Sequence, residues 1–487
     1  MASQSGNPTI DALLTLIQSS AQSAVAEYNK TGFGVPSPDS TKPHPLDSTS
    51  DVLALKKAIR VLEGACELLC TTLAQPMHTI ANRTMPYEAP CLRLAVEMRI
   101  ADVLEGLPGL HVNAIAAKTR LDPKKLGQIL RLLATRGCFR EVSENVFANN
   151  RLSLMLLSSN PVSATVLLNT NECLKAATML PEAMQHMDYA FGDTVDRTAF
   201  SLSVRGAGQG NGDLSLFEWY KINVGIPWMP VIDATDSANS DEAKNWTGWS
   251  RITGSLSIVN NFPWNDLEPE TTFCDIGSGV GTLTLSLAHA HRHIKVVLQD
   301  FPEVLVAAKA FWTAENPRSI EEGQVDFVQL NFLNEVPKTG QDIYYVRSIR
   351  TIALMKHVLH DWPDNDVISI LQNVAKAMKS DGTSRLFIHD FVLKHVHTNE
   401  KVDTMAIGIE CAPPPLLPNY GTGNIRHYNQ DVNMLAMFNS RERTCEEYAT
   451  LGEEAGLCLI KVWDFAETYL LEFKLISSTV ISSETVR

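Results

Sequence analysis

The sequence predicts an α/β fold: a doubly wound parallel sheet preceded by an all-helical and winged-helix region. Three observations predict it. After Pro269, five short β-rich runs (Thr272–Ile276, Lys295–Leu298, Val325–Val328, Asp342–Val346 and Arg385–Ile388) alternate with helical runs, the pattern of a parallel sheet covered on both faces. Between Cys91 and about Asn150 the pattern is instead short helices, a turn and a two-stranded wing. The chain has 487 residues, too many for one ordinary domain and suited to two or three.

Composition narrows the class further. With 45% hydrophobic and 20% charged residues, the chain reads as soluble and globular, which excludes wholesale disorder, a coiled-coil rod and a collagen-like repeat. No run approaches the roughly 18 apolar residues of a membrane span, and no basic region precedes Lys30 to open a signal peptide, so a cytoplasmic location is expected. Forty-one basic against 55 acidic side chains give a net charge of -14, which disfavours extended contact with nucleic acid or a membrane and favours a small-molecule partner. Nine cysteines form no CxxC pair, so reduced thiols are expected.

The elements follow in order. Ile10, Leu13, Leu14 and Ile17 mark an amphipathic opening stretch, and residues 30–50 carry Pro36, Pro38, Pro43 and Pro45 in a linker. Val52, Leu55, Ile59, Leu62, Cys66, Leu69 and Leu73 then recur at steps of three and four, the seam of a helix that pairs with another helix within or between subunits. Cys66 and Cys70 belong to that stripe and read as packing residues. In the winged-helix unit, Leu121, Asp122 and Pro123 start a helix and Gly137, Cys138 and Phe139 stop one. Residues 91–140 hold nine basic against four acidic side chains, so DNA binding must be weighed, but the acidic remainder opposes it.

Residues 160–265 combine helical pieces with Phe191, Phe217, Trp219, Tyr220, Trp228, Trp246, Trp249 and Trp264, and with an acidic insert from Asp233 to Lys244. Such aromatics form core or line an apolar pocket for a flat ligand. The expected domains are a helical arm over 1–85, a winged-helix domain over 86–160, a helical substrate-binding segment over 161–268 and a catalytic domain over 269–487.

The first strand of the α/β half runs into Asp275, Gly277, Gly279 and Gly281, followed by a helix. Glycines there let backbone approach a ligand closely, with helix N–H groups pointing at it. The spacing is not the G-x-G-x-x-G of a dinucleotide site: the third glycine comes one residue early and an acid stands two positions before the first. That argues for a cofactor bearing positive charge, and Asp300, closing the second strand, can accept both hydroxyls of a ribose. Here the chain resembles S-adenosylmethionine-dependent methyltransferases of the doubly wound class I type, whose signature D-x-G-x-G-x-G is matched by residues 275–281.

A second motif carries chemistry. His357 and His360 precede Asp361, Trp362 and Asp364, ahead of an amphipathic helix. A histidine at the end of an α/β strand faces the ligand crevice and, with an ordinary pKa of about 6.5, accepts a proton at physiological pH. The string resembles the H-D-W segment of plant and fungal small-molecule O-methyltransferases of the caffeate O-methyltransferase-like family, whose first residue is the general base. Ala95–Leu104, Pro413–Gly421 and Asn433–Thr444 extend the resemblance, the last two to the fungal secondary-metabolite branch.

The resemblance implies a homodimer paired through the winged-helix domain and a methyl transfer from S-adenosylmethionine to a hydroxyl of a phenolic or polyketide-type metabolite. It implies His360 as base, Glu442 and Asp390 as the acids orienting its imidazole, and cofactor contacts from Asp275, Gly277, Gly279, Gly281 and Asp300, with no metal. Asn331 and Phe332 stand where relatives place an acid and an aromatic at the adenine, and Arg347 or Lys356 supplies a basic group. About nine residues, Ser348 to Lys356, are surplus to the pattern. Their displacement of His360 would give a catalytically impaired scaffold; a winged-helix regulator and a nicotinamide-linked dehydrogenase are the other readings. Two histidine strings, His289, His291 and His293, and His395 and His397, read as solvent-facing turns rather than metal sites.

Overall fold

The computed structural model describes residues 5–48, 52–160, 162–192, 194–205, 213–222, 256–332, 334–347, 359, 362–397 and 408–476. Its strands are β1 (Leu110–His111), β2 (Arg140–Ser143), β3 (Val146–Ala148), β4 (Thr272–Ile276), β5 (Lys295–Asp300), β6 (Val325–Gln329), β7 (Ile343–Arg347), β8 (Arg385–Asp390), β9 (Val392–Leu393), β10 (Arg443–Thr444), β11 (Leu457–Asp464) and β12 (Tyr469–Leu475).

The main sheet has seven strands in the order β11-β12-β8-β7-β4-β5-β6. β4 to β8 run parallel, and β12 lies antiparallel to both β8 and β11. All five expected strands are present, but the sheet is mixed at one edge. The alternation of Leu457–Asp464 and Tyr469–Leu475 is a hairpin signal, since only four residues part the strands. Successive residues face opposite layers. Cys274, Ile276, Tyr344 and Val346 pack under the helices Asp364–Ala377 and Cys445–Glu454. Phe273, Ile343 and Tyr345 pack with the helices Thr282–Ala290 and Pro302–Glu315. The chain leaves β4 toward β5 and β6, then returns to the far side of β4 as β7. Ligands bind at the carboxyl ends of strands beside such a reversal.

The region before the sheet holds a three-stranded antiparallel sheet, β1-β3-β2, so the wing gains a third short strand. Asp122 caps the helix Pro123–Thr135 by accepting from Lys125 N at 3.0 Å. Gly137 follows that helix at φ +80°, a conformation only glycine adopts freely. Leu126, Leu130 and Leu133 of the same helix meet Ile100, Ile115, Phe139 and Phe147 in a separate core.

The arm pairs its helices Pro8–Lys30 and Leu53–Leu73 within the chain. The expected seam is not the buried face: Cys66 and Cys70 are exposed, and so is Leu73. The buried residues are Ala58, Arg60, Gly64 and Ala65. Close approach sets this choice, because a Cβ at Gly64 would sit 2.4 Å from the Tyr420 carbonyl oxygen. Arg60, carried on the same face, makes a two-pronged pair with Asp464 at the end of β11, at 3.1 Å and 3.1 Å.

The helical segment forms its own cluster with the helix Ile425–Phe438 through Leu168, Ala176, Phe200, Met434 and Met437. Trp264 is buried, Trp219 meets Phe200 edge-on, and Phe191 is exposed rather than core. Trp228, Trp246, Trp249 and the acidic insert lie outside the described residues, as do the side chains of Phe217 and Tyr220.

Candidate active site

Asp275, the fourth residue of β4, is buried, and its carboxylate accepts from the Thr284 hydroxyl on the following helix. The chain then turns through Gly277, Gly279 and Gly281, all at positive φ. The turn hangs on β5, with Gly277 N and Ser278 N donating to Gln299 O at 2.9 and 3.2 Å. Two of these glycines answer different needs. A Cβ on Gly281 would lie 2.3 Å from Leu298 Cδ2 and 2.9 Å from Trp312 Nε1, whereas one on Gly279 would meet nothing within 4 Å.

Asp300 closes β5 next to this loop. Its fully buried carboxylate accepts from Gly279 N at 2.9 Å and from Phe301 N. Just past β6, Leu330 N donates to Asp300 O at 2.9 Å, which brings Asn331 and Phe332 to the same end of the sheet. Phe332 is buried, 6.2 Å from the Phe301 ring between centroids. Asn331 Oδ1 is buried with no hydrogen-bond partner among the described residues. Arg347 ends β7 in register with His389, so its backbone reaches the same edge.

A second cluster forms where β9 and β10 pair in parallel, Val392 with Arg443 and Leu393 with Thr444. This pairing sets Asp390, at the end of β8, near Glu442, just before β10. Both carboxyls are buried. Asp390 Oδ1 accepts from Phe391 N at 2.7 Å and its Oδ2 from the Tyr448 hydroxyl at 2.5 Å. Burial, and then the Asp390 carboxylate, push the Tyr448 phenol well above its ordinary pKa, so it stays a donor. Glu442 N donates to Asp431 Oδ1 at 2.9 Å, and burial raises the Asp431 pKa.

His360, Asp361, His357, Lys356 and the surplus span from Ser348 lie outside the described residues. Their neighbours Leu359 and Trp362 are described. Leu359 is buried, and both carbonyls are held by Arg443, at 2.7 and 2.8 Å. Sequence reasoning passed over Arg443 and Tyr448. The adjacency of Arg443 to Glu442 was the available signal; nothing in the sequence marks Tyr448 as a partner of Asp390.

The histidine strings have other duties. His291 and His293 are half-buried rather than solvent-facing, their Nε2 atoms bonded to Val259 O at 2.8 Å and Trp264 O at 2.9 Å, and so tie the preceding segment to the sheet. His395 and His397 are exposed with rings 5.3 Å apart. Among the described residues no group of histidine, cysteine or acidic side chains is arranged to hold a metal ion, and no helix is long and apolar enough to cross a membrane.

A seven-stranded sheet with a glycine turn after its first strand β4, an acid closing its second strand β5 and a reversal between β4 and β7 defines a class I methyltransferase. The sequence refines that class. Residues 218–458 match the O-methyltransferase domain and residues 87–159 the O-methyltransferase dimerisation domain. "3-O-methyltransferase 2" of Phanerochaete chrysosporium is 37% identical over 467 residues, 95% of this chain and 97% of that protein. "O-methyltransferase tpcA" of Aspergillus fumigatus is 29% identical over 434 residues, 84% of each chain. The mitomycin 7-O-methyltransferase MmcR shares the fold at a TM-score of 0.56 and 21% identity, over 82% of this chain and 98% of that one. OxaC, solved with SAH and oxaline, does so at 0.57 and 19%, over 95% and 100%. The chain belongs to the O-methyltransferase family and is an S-adenosylmethionine-dependent enzyme.

The residues present fit that cofactor. Gly279 leaves room for a ligand against its backbone. Asp300 offers carboxylate lone pairs where a ribose would lie, and the unpartnered Asn331 Oδ1 can accept from an adenine amino group.

Proposed function

We propose that the enzyme methylates a hydroxyl of a phenolic or polyketide-type secondary metabolite, with His360 as general base. The carrying observation is the β9–β10 pairing, which sets buried Asp390 and Glu442 beside Arg443, whose side chain holds the carbonyls of Leu359 and Trp362, the residues flanking His360–Asp361. The kinship with fungal O-methyltransferases supports an oxygen acceptor.

The chemistry needs such a cluster. A phenol has a pKa of about 10, so roughly one molecule in a thousand is phenolate at pH 7, and a positioned base returns about 10²- to 10⁴-fold in rate. His360 takes the phenolic proton. Asp390 and Glu442 orient the imidazole and stabilise the imidazolium, as acids do in any base–orienter pair. Tyr448 holds Asp390 Oδ2, leaving the carboxylate no freedom to swing away. Asp300 would hold the ribose and Asn331 the adenine, Gly277 and Gly279 would lie against the amino-acid end of the cofactor, and Arg347 or Lys356 would supply the basic group on the cofactor side. When bound, S-adenosylmethionine supplies an electrophilic methyl on sulfonium. The remaining requirement is alignment of the acceptor oxygen, a positioning problem for the two binding surfaces. The helical segment 161–268 supplies the acceptor side, residues 86–160 pair two copies into a homodimer, and residues 269–487 carry the catalysis.

Purified protein with methyl-labelled cofactor should methylate at least one of catechol, orcinol and guaiacol. His360→Gln should lose about 10²-fold or more in kcat while calorimetry shows SAH binding unchanged. Unaltered turnover in His360→Gln removes the base assignment. Cofactor binding with no transfer to any of the three phenols favours a scaffold role instead.

A further inference from the structure

We propose that the N-terminal arm is a positioning element of the active site, its helix Leu53–Leu73 bracing the backbone on both sides of Asp390. The inference rests on the reading of Asp390 as an acid of the catalytic cluster. Residues 53–73 precede both matched segments, 87–159 and 218–458, so the family match assigns them no task. Three basic side chains on one side of that helix each meet an acid of the catalytic domain. Lys56 Nζ lies 2.7 Å from Glu467 Oε2, Lys57 Nζ lies 2.6 Å from Glu410 Oε1, and Arg60 holds Asp464 with two donors. The two lysine pairs are partly exposed and individually weak. Arg60 and Asp464 are buried, so parting them would leave each charge alone out of water.

The segments gripped by the arm lead directly to Asp390. Asp464 and Glu467 flank the turn between β11 and β12, where Arg60 also donates to Ala466 O at 3.4 Å. The next residue, Thr468, bonds His389 Nε2 through its hydroxyl at 2.8 Å, and Tyr469 then pairs with Asp390 in the β12–β8 ladder. Glu467 O is bonded to the His427 ring at 2.8 Å, and that ring packs on Phe391 at 5.3 Å between centroids. Beyond β9, Lys394 Nζ donates to Glu410 O at 2.6 Å. Tyr420 completes the join, its hydroxyl donating to Glu410 O at 3.2 Å while the Arg60 guanidinium lies 4.0 Å over its ring. His389 before Asp390, and Phe391 and Lys394 after it, are therefore each tied to a segment that the arm holds. The route is a chain of direct contacts rather than proximity alone. A misplacement of about 1 Å arising far from the chemistry can cost about 10²-fold in rate, so a brace of this kind acts on kcat.

Hydrogen exchange and kinetics on the full-length chain test the brace. Lys56→Glu with Lys57→Glu repels the arm from Glu467 and Glu410, and adding Glu410→Lys restores one of the two pairs. Exchange followed by mass spectrometry should quicken in residues 53–73 and, with them, by about threefold or more in residues 389–394. On a phenol that the wild type methylates, kcat should fall about 10-fold while KM for that phenol and SAH affinity stay within about threefold. Glu410→Lys should recover about half of that loss on a logarithmic scale. A loosened arm with wild-type exchange at 389–394 overturns the proposal, as does wild-type kcat in a protein whose Asp390→Asn variant is impaired. SAH binding lost in step with kcat marks general unfolding and overturns it too. If the double variant leaves the arm docked, Lys394→Met, which cuts the bond to Glu410 O with a side chain of similar length, decides by the same readouts. If Asp390→Asn keeps full turnover, the reading of Asp390 fails, and exchange at 389–394 alone decides whether the arm braces that backbone.

Discussion

Gly279 and Gly281 differ by two positions and share positive φ, yet alanine at each should fail for a different reason. At Gly281, φ is +76° and the new methyl would stand 2.3 Å from Leu298 Cδ2 and 2.9 Å from Trp312 Nε1. Left-handed backbone costs about 1–2 kcal/mol for a residue with a Cβ, and forcing a methyl into a packed site adds about 1–3 kcal/mol. Displacing Trp312 also strains its 3.0 Å bond to Val280 O. The sum, about 2–5 kcal/mol, lowers Tm by about 4–20 °C for a unit of some 200 residues. At Gly279 φ is +58° and the methyl meets no protein atom within 4 Å, so only the backbone term of about 1–2 kcal/mol applies, or about 2–8 °C. That methyl instead occupies the ligand side of the loop, and SAH affinity should fall about tenfold or more. Differential scanning fluorimetry and calorimetry with SAH separate the two effects. A Gly279→Ala protein with wild-type SAH affinity, or with the larger Tm loss of the pair, refutes the division of labour.

Two further outcomes follow from buried charge. Burial, aided by the Arg60 charge, depresses the His427 pKa to about 4 from 6.5, and its ring bonds Glu467 O at 2.8 Å. Because the unfolded chain takes up that proton first, the contribution of His427 is intact above about pH 6.5 and is lost as pH falls toward 4, by roughly 3 kcal/mol in all. His427→Gln should therefore show a flatter decline of Tm between those pH values, and an identical decline would rule the residue out. Separately, Arg60→Ala should destabilise by about 3–5 kcal/mol by stranding Asp464, seen as a lower Tm and new protease cleavage in the arm. The pair Arg60→Met with Asp464→Leu should recover most of the loss, and a silent Arg60→Ala would refute the latch.

The parts of this enzyme legible in the sequence are those fixed by local periodicity or by a short motif. Alternating β-rich and helical runs marked β4 to β8, and the spacing of Asp275, Gly277, Gly279 and Gly281 marked the loop that hangs on β5. The arm was misread because its buried face is chosen from outside the helix: Gly64 and Arg60 are inward only because Tyr420 and Asp464 arrive there from far along the chain. Two half-buried histidines looked solvent-facing because the carbonyls they bond belong to Val259 and Trp264, which no pattern within residues 289–293 reveals. Arg443 carries no local signal beyond its place next to Glu442. Its importance lies in which carbonyls come within reach once two-residue strands pair, and such strands are too short to show a period.

The latch between Arg60 and Asp464 joins residues 404 positions apart, and this separation bears on how the protein is made. Contacts between distant residues are the slowest to form, and nascent chains order their N-terminal parts first. On the ribosome, the helix Leu53–Leu73 must wait for Tyr420 before Gly64 meets its neighbour, and for β11 before the Arg60 guanidinium meets its carboxylate. The arm is thus made long before the strand it docks on, so its closure reports that β11 is in place.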